Sequence, residues 1–62
     1  MIEVDTPGGV KAINKQDVKY ILPPTSAQVY LGVGAVIEEK GGTLVEVYHT
    51  IDEIKDALRC LK

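Results

Sequence analysis

The chain has 62 residues, of which 45% are hydrophobic and 26% are charged, and its 7 basic and 9 acidic residues give a net charge of −2. A chain of this length forms one small domain over residues 1–62, and its slight acidity argues against non-specific nucleic-acid binding, which depends on a basic surface. A single cysteine and a single histidine exclude an internal disulfide and a zinc site of the usual ligand set. We therefore predict neither a metal nor another cofactor.

The first third of the chain predicts three short strands separated by turns. Pro7-Gly8-Gly9 is a strong turn signal, because proline presets φ and glycine accepts positive φ. Pro23-Pro24 ends the third strand, since proline donates no ladder hydrogen bond. Alternation places Tyr20 on one face with Val18 and Leu22, and we expect that face in the core. The three strands are predicted over residues 2–6, 10–13 and 18–22.

The middle of the chain predicts a long hairpin. Apolar residues alternate from Val29 to Ile37, the period of a half-buried strand. A two-residue glycine turn would pair Ile37 with Glu46 and place an acid on the buried face. A three-residue loop, Lys40–Gly42, pairs Ile37 with Val45 instead. We predict the three-residue loop, closed by a glycine in the left-handed region.

This register predicts a surface on the outer face of the hairpin. Tyr48 falls opposite Gly34 and diagonal to Gly32, so its ring can cover bare backbone. Tyr30 and Val36 share that face, and tyrosine is enriched in the cores of interfaces. These five residues are the predicted partner-binding site. Two alternatives stay open: the glycines bend a strand around the core, or a long strand or the chain's own N-terminal hairpin covers the face.

The tail predicts a helix over residues 51–61. Thr50 and Glu53 have the spacing of a capping box, and acids precede bases along the segment, as the helix dipole favours. Cys60 lies nearly three turns from the helix start, about 15 Å along the axis, so it cannot reach His49 as a nucleophile–base pair requires. The apolar stripe comprises Ile51, Ile54, Ala57, Leu58 and Leu61.

No other motif indicates catalysis. Residues 32–37, Gly-Val-Gly-Ala-Val-Ile, contain two glycines of a dinucleotide fingerprint but lack the third, and a βαβ unit of about 30 residues does not fit. We predict no catalytic residue, no small-molecule substrate and no enzymatic activity. Thiol or redox chemistry at Cys60 is left open.

Three lysines provide an alternative site. Lys11, Lys15 and Lys19 recur at every fourth residue around a predicted turn. A solvated face is the simpler interpretation, and a local basic patch that binds nucleic acid is the alternative.

The layout resembles that of short bacterial and phage proteins that include the flagellar-locus FlbD/SwrD family. The similar features are an opening Met1-Ile2, a turn at Gly8-Gly9, the pair Ile13-Asn14, a hairpin at Gly41-Gly42 and the helix start at residues 49–54. The resemblance implies a bacterial or phage accessory protein without enzymatic activity.

The sequence therefore predicts an α+β fold: a small curled antiparallel sheet of about five strands, SH3-like or a meander, packed on one C-terminal helix. No apolar run is long enough to cross a membrane, and acids stand where a signal peptide carries positive charge. We expect a cytoplasmic protein that binds a protein partner or forms a homo-oligomer. Strand order does not follow from the sequence.

Overall fold

A computed structural model describes residues 1–60 of the chain. Five antiparallel strands and a C-terminal helix confirm the predicted α+β class. A short helix between the third and fourth strands was not predicted, and a 3-10 turn at Lys15–Asp17 occupies the predicted polar turn. The elements are β1 (Ile2–Thr6), β2 (Gly9–Ile13), β3 (Val18–Leu22), α1 (Ser26–Tyr30), β4 (Ala35–Glu39), β5 (Leu44–Val47) and α2 (Ile51–Arg59).

The strands form two sheets rather than one. The hairpin β1–β2 is the first sheet, and β3–β4–β5 is the second, a three-stranded meander in chain order. The segment that follows β5 joins the two sheets, because the Tyr48 N–H donates to the Asp5 carbonyl at 2.9 Å. The first sheet is thus attached to the second through one edge of β1.

The register of the β4–β5 hairpin is the one predicted from the alternation of apolar residues. Ile37 pairs with Val45, and the Glu39 N–H donates to the Thr43 carbonyl at 2.9 Å across the loop Lys40–Gly42. Gly42 closes this loop with φ of +88°, a value that favours glycine because other residues are strained there. The three-residue loop is confirmed.

The core lies between the second sheet, β1 and α2. The stripe of α2 faces it, with Ile54 at 2% exposure and Leu58 buried. Burying a side chain of this size stabilises the fold by about 1.5–3 kcal/mol. Leu61, the last residue of the predicted stripe, lies outside the described residues. The core cluster is Val4, Ile13, Ala35, Ile37, Val45, Val47, Ile54 and Leu58.

The prediction that Tyr20 belongs to the core is wrong. Tyr20 is 56% exposed, because the register of β3 against β4 shifts between Val18 and Tyr20. A bulge adds one residue and reverses which side chains face inward beyond it. Val18 packs on the core as predicted, and beyond the bulge Ile21 does so in place of Tyr20. The Lys19 ammonium lies 5.5 Å from the centre of the Tyr20 ring.

The prediction of a strand that begins at Val29 is also wrong. Residues 26–30 form α1, and β4 begins only at Ala35. The Gln28 N–H donates to the Thr25 hydroxyl, and the Gln28 side chain accepts from the Thr25 N–H at 2.8 Å. This capping box satisfies N–H groups at the start of the helix, and so a local interaction overrides the alternation.

Gly34 lies where two segments of backbone approach each other closely. Its N–H donates to the Val47 carbonyl at 2.9 Å. A Cβ at this position would lie 2.5 Å from the His49 carbonyl oxygen and 3.2 Å from that of Tyr48. Only glycine leaves room for this contact, so the bare backbone serves the chain's own packing.

We expect Gly34→Ala to lower the free energy of unfolding by about 1–3 kcal/mol, the usual cost of overpacking, because neither backbone segment can move without breaking hydrogen bonds. Urea denaturation measures this change. Gly41→Ala is the control, since a Cβ there meets nothing within 4 Å, and we expect it to be neutral or stabilising by less than about 1 kcal/mol. Equal stability of the two variants would contradict the close approach at Gly34.

Candidate functional site

The five residues predicted as one outer face do not form one face. Tyr30 belongs to α1 and is 93% exposed, whereas Val36 is 4% exposed. Val36 pairs with Glu46 across the hairpin, and the Gln28 amide donates to the Glu46 carboxylate at 2.9 Å. This contact holds α1 against the face that carries Val36. The grouping of Val36 with the exposed tyrosines is therefore wrong, because Val36 is buried.

The predicted placement of Tyr48 beside a glycine is confirmed. A Cβ on Gly32 would lie 3.8 Å from Cε1 of the Tyr48 ring, so the ring lies against bare backbone. Tyr48 is 47% exposed. Gly34, the other glycine of the prediction, contacts the backbone of His49 rather than the ring.

Exposed apolar residues surround the end of α1, and we call Val29, Tyr30, Leu31 and Tyr48 the tyrosine patch. Val29 is 58% exposed and Leu31 is 73% exposed. Gly32 follows Leu31 and lies against the Tyr48 ring, which places the ring close to the end of α1. The alternation of apolar residues predicted a strand at Val29 and Leu31, whereas Val29 lies in α1 and Leu31 is its C-cap. The spacing Thr25-Ser26-Ala27-Gln28, a capping-box pattern, is the signal that could have identified the helix.

Acidic side chains neutralise most of the predicted lysine patch. The Lys11 ammonium lies 3.1 Å from a Glu39 carboxylate oxygen, and Lys19 lies 3.8 Å from Glu38. Lys15 lies in the 3-10 turn between them in sequence. Counterion release from nucleic acid requires basic side chains that are available to phosphates, so this arrangement does not favour nucleic-acid binding.

His49 forms a polar cluster where β1 meets the start of α2. Its Nε2 accepts from the Asp5 N–H at 3.1 Å, and a nitrogen that accepts carries no proton. The other ring nitrogen, Nδ1, lies 4.0 Å from a Glu53 carboxylate oxygen. Nε2 also lies 3.7 Å from the Asp5 carboxylate. The imidazole thus binds a backbone amide of β1.

Glu53 caps α2 as predicted. The Thr50 N–H donates to its carboxylate at 3.0 Å, and the Glu53 N–H donates to the Thr50 hydroxyl at 3.2 Å. The hydrogen bond from the Thr50 backbone, then the Thr50 hydroxyl, and the charge of His49 when it is protonated lower the pKa of the Glu53 carboxyl. The capping box of α2 therefore explains why an acidic residue stands at position 53.

A groove of about 160 Å³ lies beside this cluster, between β1 and α2. The edge of β1 forms one wall and the first turns of α2 form the other. No local pattern in the sequence indicates this groove, because its two walls come from opposite ends of the described chain. The lining residues are Ile2, Glu3, Val4, His49, Glu53, Ile54 and Ala57.

Comparison of the sequence with protein-family models, with curated proteins and with solved structures gives no match. The resemblance to the FlbD/SwrD family therefore stays a prediction. Neither helix within residues 1–60 is long and apolar enough to cross a membrane. Cys60 is exposed at the end of α2.

We expect Glu53→Gln to reduce the loss of stability in acid. Because the pKa of Glu53 is lower in the folded chain than in the unfolded one, its carboxylate contributes stability that is fully present above the unfolded value. That contribution is lost as pH falls through the folded value, in the range below the ordinary glutamate pKa of about 4.3.

Thermal unfolding of both proteins between neutral pH and this acid range checks the expectation. The glutamine variant keeps an acceptor for the Thr50 N–H, so its stability should depend less on pH while the helix remains. Asp52→Asn is the control, because it removes a neighbouring charge outside the capping box. Identical pH profiles for Glu53→Gln and the parent would contradict the prediction.

We expect His49→Ala to lower the free energy of unfolding by about 1 kcal/mol, the usual net value of one hydrogen bond, and to speed amide exchange at Asp5. The control is Arg59→Ala, whose ion pair with Asp56 joins two exposed side chains at 3.4 Å and should contribute less than about 0.5 kcal/mol. Unchanged exchange at Asp5 would show that the imidazole does not hold β1.

Proposed function

We propose that this protein is a small binding module without enzymatic activity, and that it self-associates through the tyrosine patch. The observation that carries the proposal is the 93% exposure of Tyr30 between two exposed apolar neighbours, Val29 and Leu31. Contiguous exposed apolar surface marks interaction sites in soluble proteins. No second observation favours nucleic-acid binding.

The helix α1 presents these residues because its other contacts hold it in place. The capping box at Thr25 fixes its start, and the bond from Gln28 to Glu46 ties it to β5. A rigid aromatic side chain loses little conformational entropy when it binds, which is why tyrosine is frequent among residues that dominate interface energy. The tyrosine patch is therefore a preorganised surface.

A second copy of the chain is the occupant that the chemistry of this patch fits. None of its four residues is charged, so two copies can face each other around a two-fold axis without like-charge repulsion. The net charge of −2 adds little long-range repulsion between copies. Burial of the same apolar groups on both sides would supply the free energy of association.

We expect the parent chain to form a concentration-dependent dimer and Tyr30→Ala to weaken it. Truncating a central aromatic residue costs at least about 2 kcal/mol, or roughly a 30-fold higher dissociation constant. Sedimentation equilibrium over a range of concentrations measures the constant. Stability of the monomer should change little, since Tyr30 has few contacts to lose.

Tyr20→Ala is the matched control, because Tyr20 is also an exposed tyrosine but lies on β3 outside the patch. The dimer dissociation constant of Tyr20→Ala should equal that of the parent. Tyr48→Ala should raise this constant, as Tyr30→Ala does. A parent chain that stays monomeric at millimolar concentration would overturn self-association. Equal effects of Tyr20→Ala and Tyr30→Ala would overturn the assignment to the patch.

A further inference from the structure

The second edge of β1 is only partly occupied. Asp5 directs its N–H to His49 and its carbonyl to the Tyr48 N–H, so both of its backbone groups face away from β2. In an antiparallel pair, the residues that face the partner strand alternate with those that face away. Glu3 is two residues before Asp5 on the same strand, and its N–H and carbonyl therefore face the same edge as those of Asp5.

Nothing within residues 1–60 pairs with the backbone groups of Glu3 at that edge. The segment after β5 follows β1 only as far as His49, and then Thr50 begins the cap of α2. The His49 imidazole accepts the Asp5 N–H in place of a backbone carbonyl. The backbone hydrogen bond from Tyr48 and the His49 imidazole thus both occupy Asp5, and neither reaches Glu3.

The groove described above lies at this position. Glu3 and its neighbours Ile2 and Val4 line one wall, and Ile54 and Ala57 of α2 line the other. A space between a strand edge and a helix has the shape that receives an extended peptide as an added strand. Ala57 leaves room for a small apolar side chain opposite the strand.

The charges around the groove are acidic. Glu3 and Glu53 line it, and Asp5 lies next to His49 with 62% of its side chain exposed. Among residues 1–60, no lysine or arginine belongs to the lining. A basic side chain on the incoming strand would therefore be attracted, and an acidic one would be repelled.

We propose that the groove between β1 and α2 binds an extended peptide segment that carries basic side chains, by adding a strand to β1 at Glu3. Main-chain hydrogen bonds to Glu3 supply the pairing, the acidic rim selects lysine or arginine, and Ala57 selects a small apolar residue. The groove shares no residue with the tyrosine patch, so the proposal goes beyond self-association.

The probe is an acetylated, amidated hexapeptide in which lysine and valine alternate, titrated into the uniformly ¹⁵N-labelled chain. We expect amide shifts at Glu3 and in the first turns of α2. Methylation of every second backbone nitrogen prevents strand pairing but keeps the charges, and should raise the dissociation constant at least about tenfold. Replacing lysine by glutamate should do the same through repulsion.

Two pairs of variants test the walls of the groove. Glu3→Pro removes the N–H that faces the groove, whereas Ala12→Pro removes the outward N–H of its cross-strand partner on the opposite edge of the same hairpin. Ala57→Leu fills the groove from α2, whereas Lys55→Leu adds the same side chain to an exposed position of the helix. In each pair we expect only the first variant to lose binding, by at least about tenfold.

The proposal is overturned if the peptide and its methylated form bind equally, since charge alone would then explain the binding. Amide shift changes confined to the tyrosine patch would also overturn the proposal. So would the absence of any amide shift change at millimolar peptide. Ala57→Leu keeps the test valid if the proline variants do not fold. Titration at a protein concentration below the dimer dissociation constant separates this result from that of self-association.

Discussion

The structure depends on how the dipeptide Tyr48-His49 fits between Asp5 and Gly34. On one side, Asp5 exchanges hydrogen bonds with the Tyr48 backbone and the His49 imidazole. On the other side, Gly34 leaves space for the carbonyl groups of the same two residues. This junction joins the two sheets and directly precedes Thr50, the N-cap of α2. A chain that buries so little surface has few other contacts with which to hold a two-stranded hairpin.

The same junction separates the two surfaces proposed here. Tyr48 places its ring beside Gly32, next to the exposed end of α1, while His49 points to β1 and the groove. One dipeptide, at the bend that follows β5, therefore contributes a side chain to each surface. The aromatic ring of Tyr48 suits an apolar contact at the tyrosine patch. The imidazole of His49, a hydrogen-bond acceptor, suits a strand edge at the groove.

Local patterns predicted most of the fold, and tertiary contacts decided the rest. The loop Lys40–Gly42 is predictable because only a three-residue loop keeps acidic residues off the buried face. The start of α2 is predictable from its capping box. Alternation alone predicts a strand at Val29 and Leu31, but the capping box at Thr25 starts a helix there. The bulge after Val18 has no signal in the sequence, since the strand that it pairs with lies 20 residues away. The groove forms where β1 packs near α2, two segments that are distant in the chain, so no local sequence pattern predicts it.

Binding and stability are coupled in a chain of this size. A small core leaves a narrow margin over the entropy of the unfolded chain, and any partner that binds only the folded state adds to that margin in proportion to the logarithm of its concentration. A strand added at Glu3 would pair with the same edge of β1 that Asp5 uses to bind Tyr48 and His49, and so reinforce the position of β1. Contact at the tyrosine patch would instead hold α1 and the Tyr48 side of the junction. Both surfaces therefore act on the one segment that joins the sheets, and occupation of either should slow the opening of the hairpin β1–β2.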